Sequence, residues 1–110
     1  MPITVIYYDN TVVEYDNFDK ITDNMNVIII DCRHSNLKSL PDNMKFPNLT
    51  DFYCNNNNLT SLPDNIMLPN LIYIYCNNNN LYYIPPHVNC YIEKDKNTKS
   101  PEYMRRKLLI

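Results

Sequence analysis

The sequence predicts an α/β repeat fold: a short right-handed, parallel-stranded coil of 22-residue repeats, with a β-hairpin cap before it and a helical cap after it. Three observations predict this. Leu40-Pro41-Asp42-Asn43 returns as Leu62-Pro63-Asp64-Asn65, a step of 22, and Ile84-Pro85 opens a third copy another 22 residues on. Leu49, Phe52, Cys54 and Leu59 return as Leu71, Ile74, Cys76 and Leu81, and project back by the same step onto Val27, Ile30, Cys32 and Leu37. The flanking segments are patterned differently, strand-like before the repeats and helix-like after them. A fixed period of this length marks a stacked architecture, in which each unit buries its apolar face only against the next.

Residues 1–20 read as the N-terminal hairpin cap. Ile3-Thr-Val-Ile-Tyr7 and Val12-Val-Glu-Tyr15 are β-prone runs, and Asp9-Asn10 between them tolerates the positive φ of a tight turn. Residues 21–97 are read as about three regular repeats and one degenerate repeat. In each, a short strand lays alternate side chains inward, which makes Ile30, Phe52 and Ile74 one inward column and Cys32, Cys54 and Cys76 another.

The Pro after Leu40, Leu62 and Ile84 suits an extended return segment that needs no ladder donor. Asn57 and Asn79 stand where the chain leaves the strand, and a carboxamide there pairs backbone groups that have no sheet partner. Ser35 replaces that Asn in the first copy. The chain has no Gly, so turns with positive φ are expected to fall to Asn or Asp.

Residues from Val88 to Asn97 read as a fourth coil about three residues shorter than the others, with Glu93 and Lys96 where Leu and Asn are wanted. Residues 98–110 are expected to form the C-terminal capping helix. Ser100-Pro101-Glu102 reads as N-cap, first helical residue and first-turn acid, and Met104 and Leu108 share a face that would shield the last coil. Because it ends on Leu108-Leu109-Ile110, the helix has a second reading as the contact of a homodimer.

One copy, Leu49-Thr-Asp-Phe52-Tyr-Cys54-Asn-Asn-Asn57-Asn-Leu59, resembles the leucine-rich-repeat pattern L-x-x-L-x-L-x-x-N-x-L, with Phe and Cys in two of the Leu places. The resemblance covers roughly residues 21 to 97. The Asn-rich, Leu-Pro-Asp-Asn form is similar to the short leucine-rich-repeat proteins of mimivirus-like giant DNA viruses. That resemblance implies a viral protein, placed in the host cytoplasm and engaged in protein–protein interaction. A similar repeat occurs in bacterial effector ubiquitin ligases, which carry an additional catalytic domain not seen in these residues. Substrate recognition within a ligase assembly is therefore one alternative, and a structural or self-associating unit is another.

Composition narrows the chemistry. A net charge of −2 and the absence of a long basic run leave no electrostatic footprint for nucleic acid. The N-terminus lacks the pattern of a secretory signal, and the longest apolar stretch, Val27 to Ile30, is far too short for a membrane span, so an intracellular protein is expected. The sequons at Asn48 and Asn58 are then silent.

Cys32, Cys54 and Cys76 occupy an inward Leu place, where a free thiol serves as a small hydrophobe, and the chain has no close C-x-x-C pair. His34 and His87 are far apart, no Ser/His/Asp or Cys/His motif is recognisable, and without Gly there is no phosphate loop. A non-enzymatic chain with no cofactor and no metal is expected. Arg105-Arg106-Lys107 reads either as a solvated helix face or as a contact for an acidic partner.

The candidate partner-binding surface is the concave face made by the outward residues of the strands. Stepping by 22, its columns are Ile29, Asp51 and Tyr73; Asp31, Tyr53 and Tyr75; Arg33, Asn55 and Asn77; and His34, Asn56 and Asn78. Paired Tyr rings flanked by Asp and amides combine apolar area with hydrogen bonding, which suits a protein or peptide partner. The competing reading is that Tyr favours strands and Asn fills solvent.

Overall fold

Short runs of β-branched and aromatic residues form six strands in the computed structural model, which describes residues 2–108. They are β1 (Ile3–Tyr7), β2 (Val12–Tyr15), β3 (Val27–Asp31), β4 (Asp51–Tyr53), β5 (Tyr73–Tyr75) and β6 (Tyr91–Glu93), and the helix α1 (Pro101–Leu108) follows them. All six belong to one mixed sheet in the order β2-β1-β3-β4-β5-β6. β1 is antiparallel to both neighbours, whereas β3 to β6 run parallel. The chain is thus an α/β domain with a six-stranded mixed sheet and one C-terminal helix.

Pairing follows the repeat. Ile30 lies opposite Phe52 and Phe52 opposite Ile74, steps of 22. The last step is shorter, because Ile74 lies opposite Ile92, 18 residues on. The fourth coil is therefore four residues shorter than the others, not three, and Glu93 pairs with Tyr75 in an outward place while Ile92 takes the inward one. Lys96, expected in the Asn place, is exposed, and the carboxylate of Asp95 accepts the amides of Asn78 (2.8 Å) and Asn79 (3.1 Å) instead. A shortened return loop moves the register by one residue, and that changes the face each side chain points to.

The core is the stack of inward columns. Ile30, Phe52 and Ile74 are buried, with Cys32, Cys54 and Cys76 beside them and Leu40, Leu62 and Ile84 closing from the return side. Return segments stack in the same order as the strands: residues 18–24 lie beside 41–46, Lys45 bridges to Met67, and His87 Nε2 is 2.7 Å from the Ile66 carbonyl.

Asn57 joins consecutive coils by donating Nδ2 to the carbonyls of Cys32 (2.9 Å) and Cys54 (3.1 Å), while Oδ1 accepts the amides of Ser35 and Leu37 (both 3.0 Å). Asn79 repeats this, donating to Cys54 and Cys76 and accepting from Leu59, all at 3.0 Å. Ser35, which holds the equivalent place in the first copy, does not reach back to an earlier strand: its hydroxyl donates to the Arg33 carbonyl at 3.2 Å.

Among the described residues six positions have positive φ: Asn10, Asp23, His34, Asn36, Asn56 and Asn78. Five are Asn or Asp. His34 departs from the expectation, and its place explains it, since it is the member of the Asn56 and Asn78 column in the first coil.

α1 starts as expected, with Ser100 Oγ accepting the Tyr103 amide at 3.1 Å. The shielding face does not form: Met104 is half-buried and Leu108 is 71% exposed. The helix is held by its first turn, through buried Pro101, and by Arg105, which donates to the Pro86 carbonyl at 2.6 Å. Leu109 and Ile110, named for the homodimer contact, lie outside the described residues. Among the described residues no helix is long and apolar enough to cross a membrane.

Candidate binding face

Since Phe52 and Ile74 point inward, their strand neighbours point outward. The pairing register carries two outward rows across the whole sheet. One runs Val12, Ile6, Ile29, Asp51, Tyr73, Tyr91, and the other Glu14, Thr4, Asp31, Tyr53, Tyr75, Glu93. The face is six strands wide, twice the width expected from the three regular repeats.

Its centre is aromatic. Tyr53 and Tyr75 stack with ring centroids 4.8 Å apart and planes 3° from parallel, the geometry that strand spacing imposes on equivalent residues. Tyr73 stacks on Tyr75 at 6.4 Å and meets the edge of Tyr91 at 5.8 Å. At the other end the Arg33 guanidinium lies 5.3 Å from the Tyr53 ring centre and grips Asp31 through Nε (3.0 Å) and Nη2 (2.8 Å). Arg33 and Asp31 thus hold the flank of the aromatic row. Tyr73 and Tyr91 are 40% and 54% exposed, while Tyr53 and Tyr75 are half-buried by each other and their neighbours.

The other sites expected on this face divide into three groups. Ile29 and Asp51 are half-buried in the sheet, and Asp51 accepts a bond from Thr50 Oγ1 at 2.8 Å. Asn55 and Asn77 supply backbone carbonyls to the ladder, each accepting from the Nδ2 of Asn57 or Asn79 at 3.3 Å. His34, Asn56 and Asn78 take the left-handed turn and bond to one another, Asn78 to Asn56 at 2.7 Å and Asn56 to His34 at 3.4 Å. This last column is occupied by turn-making, so the outward aromatic area concentrates on the Tyr columns.

Tyr91 and Glu93, together with Ile6 and Thr4, belong to the face and were not among the expected residues. The triplets Asp51-Phe-Tyr53, Tyr73-Ile-Tyr75 and Tyr91-Ile-Glu93 carry the signal for the fourth strand, an apolar residue between two outward ones. No comparable signal marks Ile6 and Thr4, because the hairpin lies outside the period.

Two of the phenols on this face, Tyr53 and Tyr91, are shifted by their surroundings. Burial, then the Asp51 and Tyr75 charges, pushes the Tyr53 phenol up. The hydrogen bond to Glu93, at 2.5 Å, does the same for Tyr91. A raised pKa keeps the Tyr53 and Tyr91 phenols protonated, as hydrogen-bond donors on apolar rings.

The thiols are similarly quiet. Burial pushes Cys32 and Cys76 up to about 12 and Cys54 well above its ordinary value, and Cys32 and Cys76 donate to the carbonyls of Tyr53 and Glu93, both at 3.3 Å. Cys90 is half-buried and also raised by burial. Among the described residues no three His, Cys, Asp or Glu side chains converge as metal ligands.

No protein-family model matches this chain, and no curated protein or solved structure matches it either.

Proposed function

We propose that the chain is a leucine-rich-repeat solenoid, similar to the short Asn-rich repeat proteins of mimivirus-like giant DNA viruses. In this reading it acts as a non-enzymatic module binding a protein or peptide on the outward sheet face. The observation that carries the reading is the parallel Tyr53–Tyr75 stack, flanked by exposed Tyr73 and Tyr91 on a sheet whose other face is the core. Rigid Tyr rings provide contact area at little entropic cost, and residues of this kind dominate the energetics of protein interfaces. The 22-residue pairing step and the Asn57 and Asn79 ladder support the solenoid assignment. The neutral phenols and enclosed thiols favour binding over catalysis.

The test is affinity capture from cell lysate, read by mass spectrometry, with the Tyr53→Ala/Tyr75→Ala variant as control. A partner retained by the parent chain and lost by the folded variant supports the reading. A partner held equally by both moves the binding site away from this face.

A further inference from the structure

Charge is segregated along the direction in which the coils stack. Residues 1–31 carry six Asp or Glu against Lys20 alone, residues 32–87 carry three acids and three Lys or Arg, and residues 88–110 carry six Lys or Arg against three acids. The side-chain charge therefore runs −5, 0 and +3, summing to the net −2. Strand order places the acidic segment at the β2 end of the sheet and the basic segment at the β6 end.

The two ends also match in layout. On the sheet side, β2 and β6 each have one open edge, and β2 runs in the same direction as β3 to β6, because β1 reverses it twice. On the return side, the stack starts with the acidic segment around Asp16 and Asp19 and ends with α1, which presents Arg106 and Lys107 to solvent beyond the 85–88 segment.

We propose that the chain associates head to tail with a second copy of itself, the basic α1 end of one docking on the acidic hairpin end of the next. The contact is heterologous, so it does not close on itself after one pair. The opposite charge lies in α1 and the Asp16 and Asp19 segment, while the open edges of β2 and β6 carry Glu14 and Glu93 in one row and add no charge attraction of their own. A symmetric pairing of two α1 helices sets Arg105, Arg106 and Lys107 against their own copies, and like charge opposes it. The proposal goes beyond the outward-face reading, and its charged contacts, Asp16, Asp19, Arg106 and Lys107, lie outside that face, so the charge-reversal test and the Tyr53/Tyr75 test can fail independently.

The experiment is sedimentation velocity on the full chain at low and high salt. Two charge-reversed variants accompany it, Asp16→Lys/Asp19→Lys and Arg106→Glu/Lys107→Glu. Each substituted side chain is exposed and outside the core, so circular dichroism confirms folding first. Screening shortens the range of surface charge from about 30 Å at 0.01 M salt to about 3 Å at 1 M.

The expected result is a weight-average mass that rises with concentration at low salt and falls to monomer at high salt. Each variant alone is monomeric, and an equimolar mixture of the two associates again. A parent chain that stays monomeric at all concentrations in low salt overturns the proposal, whatever the variants do. So does association that survives both reversals unchanged.

Discussion

The two faces of one short strand differ in almost everything except their period. Phe52 and Tyr53 are adjacent, both aromatic, and both repeat at a step of 22 as Ile74 and Tyr75. Phe52 is fully buried among the inward columns, while Tyr53 leans on Tyr75 at the edge of solvent. Asn57 and Asn55 differ in the same way: one carboxamide is held by five hydrogen bonds, whereas the other leaves Oδ1 buried with no donor among the described residues. Repetition therefore does not distinguish a residue that holds the coil together from one that faces outward. Burial and hydrogen bonding do.

The largest effect that sharpens this contrast is on the aromatic pair. Phe52→Ala should cost about 4 kcal/mol in denaturant unfolding through lost burial and a cavity, with Tyr53→Ala costing about 1 kcal/mol. Equal costs would mean that the Tyr stack is as structural as the core.

Next come the amides. Asn57→Ala strands the Cys32 carbonyl and two amides, leaving the Cys54 carbonyl only its Asn79 donor, and should cost about 3 kcal/mol; Asn55→Ala should lie within about 0.5 kcal/mol of the parent. A large loss at Asn55 would show that its side chain has a bonding role in solution.

The inward thiols supply a pH test. Cys32 and Cys76 titrate near 12 when folded, against roughly 8.5 for an unperturbed thiol. A raised folded value means that their contribution is complete below the unfolded value and is lost as pH climbs toward 12. Stability should fall by about 1.4 kcal/mol per pH unit for each thiol above pH ~9. Cys32→Ala/Cys76→Ala, less stable at neutral pH, should show a shallower alkaline decline in urea melts. An unchanged slope would assign the decline to other groups.

The smallest effect is a gain. His34 holds φ 54°, a conformation that Asn adopts more readily, and Asn already stands at the equivalent 56 and 78. His34→Asn should raise stability by about 0.5 kcal/mol, seen as a slightly higher melting temperature. A loss instead would show that the ring makes a contact worth more than the backbone preference.

Much of this was legible in the residues. The period locates β4 and β5, the inward Cys column and the coil-joining role of Asn57 and Asn79, because close packing and unpaired backbone groups impose the same demand in every coil. The hairpin runs Ile3–Tyr7 and Val12–Tyr15 are likewise readable from β-branched alternation and a turn at Asn10. The weaker places lie where the period stops. The register of β6, the exposure of Leu108 and the addition of β1 and β2 to the same sheet depend on how the last loop and the hairpin pack, which no repeat encodes.

The sequence by itself determined the repeat step, the inward residues and the bridging carboxamides of Asn57 and Asn79, since each follows from local backbone geometry repeated at a fixed interval. Only the tertiary structure decided which outward columns remain open and which are used up by turns. It also decided that the outward face is six strands wide and that unlike charges gather at opposite ends. The physical reason is that side-chain exposure and the placing of charge are properties of neighbours brought together from distant parts of the chain, and those neighbours are set by sheet order rather than by sequence spacing.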